Sequence, residues 1–307
     1  MTLHTILGAN GNIARIVSNE LNLQGIKVRQ FSRRPRKVND SDELESGDLL
    51  DSLKVNNAVS GAEVVYLLAG IKYSSKIWEE EWPIIMRNTI EACISNNAKL
   101  VFFDNMYAYD PDEIGHLTEK TALNPKSRKG LVRKEILEML WAEVNAGKLT
   151  ALVARAADFY GPNASNSFLN ELVLKRMKNG KAPQWLYAGG KKHSFTYIPD
   201  AGKATAFLAL QEDSYNQSWH LPTDKSYPSG NEITSIVNKE LGTNFKLQVM
   251  PSWLVSILGL FMSIMREIKE LKYQTAEDYC FDSSKIEKAY GLKPTPIKDG
   301  LKESLKA

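Results

Sequence analysis

Alternation constrains this chain more than any other feature. From the first residues, short apolar runs and amphipathic stretches succeed one another: LHTILGA, then IARIVSNELNLQ; IKVRQFS; EVVYLLAG, then PIIMRNTIEACISNN; AKLVFFDN, then LVRKEILEMLWAEVNAG; and finally LTALVARAADFYG. Parallel strands need a crossover long enough to hold a helix, so this rhythm predicts βαβ units and a parallel sheet covered on both faces. The run VVYLLAG is apolar without interruption, as a strand buried on both sides requires.

The rhythm breaks after Gly161-Pro162. SFLNELVLKRMKNG predicts a helix, QWLYAGGKKHSF is rich in turn residues, and TYIPDAGKATAFLALQE reads as a return to the sheet followed by a helix. From Lys225 onward the pattern is mixed. The expectation is an α/β fold: a Rossmann-type doubly wound parallel sheet over residues 1–162, rejoined by 190–222. A smaller interleaved C-terminal mixed α/β cap domain would hold 163–189 and 223–307. The chain of 307 residues is long enough for both.

The first strand runs into Gly8-Ala9-Asn10-Gly11-Asn12-Ile13-Ala14, a GxxGxxA spacing that opens a helix. Glycine permits the tight turn and the close approach of backbone to a diphosphate, and the helix start supplies unpaired N–H groups and partial positive charge. Gly8, Asn10, Gly11, Asn12 and Ile13 are therefore candidates for holding a dinucleotide. The next strand ends in Phe31-Ser32-Arg33-Arg34-Pro35. An NAD site commonly carries an acidic residue here for the ribose 2′-hydroxyl. A hydroxyl and paired arginines suit a 2′-phosphate instead, so Ser32, Arg33 and Arg34 point to NADP, with NAD as the alternative. Asp48 and Leu49, in GDLLD, can accept from an adenine amino group and pack on its ring; Asp48 or Asp51 would equally serve as a helix N-cap. Leu68, Ala69 and Gly70 end a further strand and leave room for a ligand at the sheet's carboxyl edge.

Composition excludes several classes. A net charge of +3, with no basic stripe interleaved with aromatics, argues against nucleic-acid binding. Two separated cysteines make neither a disulfide framework nor a zinc site, and no His/Asp/Glu spacing indicates a metal. The start of the sequence carries no export signal, and a cytoplasmic location is expected. Trp253 to Met265 is apolar but too short to span a bilayer, which takes about 20 residues. A buried or pocket-lining helix is expected there, or else a surface for a greasy substrate or a membrane.

Taken together, GANGNIA, GDLLD, RAADFYGP at 155–162, HSFTYIPDAGKA at 193–204 and the C-terminal FDSSKIEKAYGLKPTPIKDGLKESL resemble the extended short-chain dehydrogenase/reductase superfamily, in the NAD-dependent epimerase/dehydratase branch. The resemblance covers nearly the whole chain. It implies a nicotinamide cofactor and a small-molecule substrate under the cap, and it adds Asp158 to the cofactor candidates. It also implies a Ser or Thr after the fifth strand and a Tyr and Lys four apart on the next helix. Here the serine position falls on Asn105, the tyrosine position on Gly130 and the lysine position on Lys134, with Glu138 following.

Glycine moves no proton. Asn105 can polarise a carbonyl, Lys134 can hold the ribose, and Tyr107 is the best replacement donor, ahead of Tyr109, Tyr73, Asp158 and His193. Lys129 and Arg133 are alternative cations in the same stretch. Three readings stand: an NADP-dependent oxidoreductase or epimerase-like enzyme with a rearranged catalytic set (Asn105, Tyr107, Lys134); a catalytically silent NADP sensor; and a conventional sugar-nucleotide epimerase or dehydratase, against which the absent tyrosine argues. Trp185, Tyr187, Phe195, Trp219 and the 253–265 run favour an apolar substrate; a monomer or homodimer is expected.

Overall fold

The computed structural model describes residues 2–164 and 167–306. Its strands are β1 (Leu3–Leu7), β2 (Lys27–Ser32), β3 (Glu43–Ser46), β4 (Val64–Leu67), β5 (Lys99–Asn105), β6 (Ala151–Ala156), β7 (Asp158–Tyr160), β8 (Gln184–Leu186), β9 (Phe195–Tyr197), β10 (Gln217–His220) and β11 (Gln248–Met250). Its α-helices are α1 (Asn12–Leu23), α2 (Ser52–Val59), α3 (Ser75–Ser95), α4 (Arg128–Asn145), α5 (Lys175–Lys178), α6 (Ile198–Ala209), α7 (Gly230–Leu241), α8 (Ser252–Phe261), α9 (Ser263–Lys269), α10 (Tyr273–Ala276), α11 (Ser284–Tyr290) and α12 (Ile297–Lys306).

Seven strands form one sheet in the order β10-β6-β5-β4-β1-β2-β3. β1 pairs in parallel with both β2 and β4, and the order runs in opposite directions from it. That reversal makes the carboxyl end of β1 the switch point at which doubly wound sheets open a ligand crevice. The alternation in the sequence is thus realised as a Rossmann-type α/β fold. β4 and β6 are buried at every position, which is why their sequences lack a polar face.

By contact the chain divides into two units. The first runs to Asp104 and includes Lys129–Arg155 and Ala201–Trp219; the second holds Asn105–Arg128, Ala156–Asp200 and the chain from His220. These bounds differ from those expected. Residues 105–128 and 156–162 group with the second unit because Met106, Tyr109, Ile114, Leu117 and Ala157 bury against Tyr279 and Phe281. Backbone bonds join the same segments: Leu117 N–H donates to Cys280 O, and Cys280 N–H to Ile114 O. The second unit has a further core around Trp185, Phe195, Leu169 and Ile233. The helix expected at 167–180 is present over 168–178, with a π-helical turn at Asn170–Leu174 inside it before α5. The expected strand through LTALVARAADFYG is two, since β7 leaves the large sheet to pair with β9.

One buried ion cluster anchors the first unit. Asp104, with no side-chain exposure, accepts from Arg155 Nε at 2.9 Å and lies 3.6 Å from Arg133 Nη1. The Arg133 guanidinium also sits 4.1 Å from the ring centre of Trp82 and 4.8 Å from that of Trp78. Removing one partner of such a cluster leaves buried charge uncompensated. Asp104→Ala is expected to lower unfolding free energy by about 3–5 kcal/mol in chemical denaturation, far more than removing a surface acid.

Candidate functional site

The first unit builds a cradle where β1 meets α1. Gly8 has φ +94°, and a Cβ there would lie 2.5 Å from Ala69 Cα, so only glycine fits between the two loops. Its N–H and that of Ala9 both donate to Phe31 O at 3.0 Å. Gly11 is the N-cap of α1, and no side chain caps the helix. Its Cα faces open space, with nothing within 4 Å of where a Cβ would stand. The first-turn amides at Asn12 and Ile13 therefore belong to a helix start with the properties of an anion site. Ala14 is 1% exposed, as a helix close-packed on its sheet requires.

Asn10 has φ +79°, and its side chain clamps one loop to another. Its Nδ2 donates to Arg34 O at 2.8 Å and to Ser32 Oγ at 3.2 Å, while its Oδ1 accepts from Arg36 N–H at 3.1 Å. The side chain is spent on the basic loop, and what it offers a ligand is backbone. The far end of that loop is held by buried Asp42, whose Oδ2 accepts from the N–H groups of Val38 and Asn39 and from Gln30 Nε2. Arg33 and Arg34 are exposed, and neither guanidinium has a hydrogen-bond or ion-pair partner among the described residues.

Asp51, not Asp48, caps α2, accepting from Lys54 N–H at 3.1 Å. Asp48 is exposed and accepts from Leu50 N–H at 3.0 Å, which leaves it a second carboxylate oxygen. Leu49 is half-buried, and Asn88 Nδ2 donates to its carbonyl. Leu68 and Ala69 are half-buried and Gly70 is exposed just past β4.

The cations of α4 separate sharply. Lys134 is one-third exposed and lies 3.8 Å from Glu138, one turn on. Gly130 is buried. Lys129 is wholly buried, a rare state for lysine. Its Nζ donates to Ser75 Oγ at 3.1 Å and stands 4.5 Å over the ring of Tyr73. Lys129 and Arg133 are four apart, share the inward face with Ile136, Leu137 and Leu140, and reproduce the four-residue spacing one position earlier than Gly130 and Lys134. That apolar periodicity was the signal in the sequence that could have singled out Lys129.

The second unit holds the remaining candidates. Asn105 Oδ1 accepts from Tyr107 N–H at 3.0 Å, turning its amide NH2 away from the turn it closes. Tyr107 is half-buried against the Met106–Phe281 cluster. Tyr109 is fully engaged: its hydroxyl lies 2.6 Å from His220 Nε2. His220 Nδ1 is 2.7 Å from Asp282 O, which can only accept, so in the neutral ring Nε2 takes the Tyr109 proton in a hydrogen bond. His220 is structural, stacked on Phe281 at 3.7 Å. Asp158 is half-buried, with Oδ2 2.9 Å from His193 Nε2, and His193 sits among Trp185, Phe195 and Tyr279.

Several substrate-lining candidates are core residues. Trp185 and Phe195 are 1–2% exposed in the second unit. Trp219, in the first, donates its indole N–H to Ser214 O. Tyr187 is half-buried in the second unit at φ +60°. One cavity of the second unit, about 560 Å³, is lined by charged groups, among them Asp112, Lys126, Arg128, Glu270 and Glu277.

Gly8→Ala is expected to cost about 1–3 kcal/mol of stability through the strained φ and the Ala69 clash. The same variant should abolish nicotinamide-dinucleotide binding by calorimetry, whereas Gly70→Ala should do neither.

Residues 4–220 match the family model described as the NAD dependent epimerase/dehydratase family. No curated protein matches the sequence. Among solved structures, the chain is similar to UDP-N-acetylglucosamine 4-epimerase from Bacillus cereus, with a TM-score of 0.77 at 16% identity over 100% of this chain and 96% of that one. It is also similar to UDP-glucuronic acid 4-epimerase from the same organism in complex with UDP-glucuronic acid and NAD (TM-score 0.80, 18% identity, 100% and 98% covered). The UDP-glucose 4-epimerase of Thermus thermophilus in complex with NAD gives a TM-score of 0.77 at 17% identity, with 100% and 98% covered. Such low identities show a common fold; the family match, spanning more than half of the sequence, shows that this chain belongs to the NAD-dependent epimerase/dehydratase family.

Proposed function

We propose that the protein is an NADP-dependent oxidoreductase or epimerase-like enzyme acting at a carbonyl or hydroxyl carbon, with its catalytic groups redistributed. The reading is carried by Lys129: a wholly buried ammonium on the inward face of α4, held by Ser75 and the ring of Tyr73. Burying an ammonium is costly unless it is paired and hydrogen-bonded, which Ser75 and the ring of Tyr73 supply here.

The residues of the first unit fit the cofactor. Backbone amides from Gly11 to Ile13 would hold the diphosphate. Arg33 and Arg34, with Ser32, would hold a 2′-phosphate, and no acidic side chain stands at the end of β2 to repel it. Asp48 would accept from the adenine amino group while Leu49 packs on the ring. Bound there, a nicotinamide dinucleotide supplies hydride chemistry. Lys129, which has no exposed surface, would take the electrostatic part of the role first expected of Lys134, acting through Ser75 and Tyr73 rather than by touching a ligand. The Asn105 amide polarises the substrate oxygen, and the Tyr107 hydroxyl moves the proton. Asp158 is left out of this set because His193 engages its carboxylate.

The double variant Arg33→Ala/Arg34→Ala should weaken NADPH binding by about a hundredfold or more while changing NADH little, as two charge-assisted contacts of about 1.5–3 kcal/mol each imply. Equal losses for both nucleotides in titration would overturn the NADP assignment.

Turnover is tested by following NADPH absorbance with a panel of aldehydes, ketones, quinones and enones, and by chromatography of UDP-sugars incubated with the oxidised cofactor, since epimerisation consumes no net hydride and similarly folded proteins are named for those sugars. Tyr107→Phe should cut the rate by about a hundredfold or more. Lys129→Met should reduce it comparably while leaving the circular dichroism spectrum intact, and Lys134→Met should be close to neutral, as exposed pairs contribute little. Tight NADPH binding with no turnover across the panel would leave a cofactor-sensing role in place of the enzyme.

A further inference from the structure

The apolar stretch at 253–265 is neither a single helix nor buried. It forms α8 and α9, separated at Met262, whose φ of −118° and ψ of 114° are extended. Fourteen large hydrophobic residues are exposed among the described residues, and six of them fall within this stretch: Trp253, Ile257, Leu260, Phe261, Met262 and Ile264. Scattered apolar residues need no explanation, but a contiguous set does. Phe261 is 83% exposed and Leu260 75%.

The two helices pack through the other side of α8. Val255 and Gly259 are buried one turn apart, and a Cβ at Gly259 would meet Arg266 Cγ at 3.4 Å, so glycine brings α9 close. Trp253, Ile257 and Leu260–Phe261 recur at helical spacing on the opposite face. A helix packed on its own protein carries charged groups there. This one carries none.

Charge surrounds the apolar tip on one sign. No acidic residue occurs from Lys246 through Met265, and the exposed charges that flank the tip are Lys246, Arg266 and Lys269. Glu267 and Glu270 are half-buried, and Glu270 is turned inward to accept from Arg128 N–H. Side chains as exposed as Leu260 and Phe261 do not enclose a small ligand, which is bound in a concave site. A symmetric contact with a second copy would gather Lys246, Arg266 and Lys269 of both copies around one interface, with no acidic residue between Lys246 and Met265 to offset them.

We propose that the α8–α9 hairpin docks the protein on an anionic lipid bilayer. Leu260, Phe261, Met262 and Ile264 enter the acyl boundary, Trp253 rests at the headgroup level, and Lys246, Arg266 and Lys269 meet the lipid phosphates. The ten residues of α8 measure about 15 Å, half of a hydrocarbon core, so the hairpin dips into one leaflet. Accordingly, no helix among the described residues is long and apolar enough to cross a membrane.

The test is co-sedimentation of the full chain with vesicles of phosphatidylcholine alone and of phosphatidylcholine with about 30% phosphatidylglycerol, the anionic component supplying the field. Binding should be about tenfold stronger to the anionic vesicles, weaken as salt rises, and fall to background in Leu260→Asp/Phe261→Asp. Arg266→Glu/Lys269→Glu should lose the preference for anionic lipid. Both pairs are exposed, so folding is expected to survive, as circular dichroism would check. Absence of binding to either vesicle would overturn the proposal, as would binding that persists in Leu260→Asp/Phe261→Asp. So would a dimer, seen by light scattering, that this variant dissociates without any vesicle binding by the parent; the tip would then be a self-interface. None of these outcomes depends on cofactor or turnover.

Discussion

The rotation of α4 decides which of its cations face inward, and that rotation rests on Asp104. Arg133 reaches from α4 to this carboxylate at the end of β5 while its guanidinium lies across Trp82 and Trp78 of α3. With Arg155 on the same carboxylate from β6, two strands and two helices meet at one buried charge. Once Arg133 points inward, the residue one turn earlier must do so too. That residue is Lys129. Lys134 is carried round to the edge, within ion-pair range of Glu138. A helix has no freedom to present both sets, since neighbouring positions diverge by about 100°.

The cofactor side has its own constraint. The glycine turn and the basic loop come from different strands, yet they are one structure. Asn10 bridges them at one end, and Asp42 closes the loop at the other through two backbone N–H groups and Gln30. Gly8 allows the loop after β4 to approach, so the three segments that surround the switch point are mutually fixed. Preorganisation of this kind spares a ligand the entropy of ordering its own site.

The sheet and the glycine turn were legible in the sequence because both depend on local pattern: strand-length apolar runs alternating with helical periodicity, and a turn that only glycine can make. The unit boundaries were less so. Residues 105–128 follow β5 directly, and nothing local reveals that Met106 and Tyr109 bury against Tyr279 and Phe281, in the last stretch of the chain. Asp42 and Asp104 escaped notice for the same reason: a buried carboxylate looks like any other acid until its partners are known. Lys129 was visible only as one cation among several. The spacing from Lys129 to Ile136, Leu137 and Leu140 carried the signal, but the Arg133–Asp104 contact that fixes the same face is not written in local sequence. Trp185, Phe195 and Trp219 drew attention as aromatic residues near an expected cleft, but large rings fill cores as readily as they line pockets.

The basic loop is held almost wholly by main chain. Asn10 bonds to the carbonyl of Arg34 and the amide of Arg36, and Ser46 Oγ donates to the carbonyl of Arg33. None of these bonds reads the side chains that they secure. The side chains of Arg33, Arg34 and Arg36 can therefore be exchanged without breaking the bonds that hold the path of the chain. Under the proposed roles of Arg33 and Arg34, a few point substitutions would alter nucleotide preference on an unchanged frame.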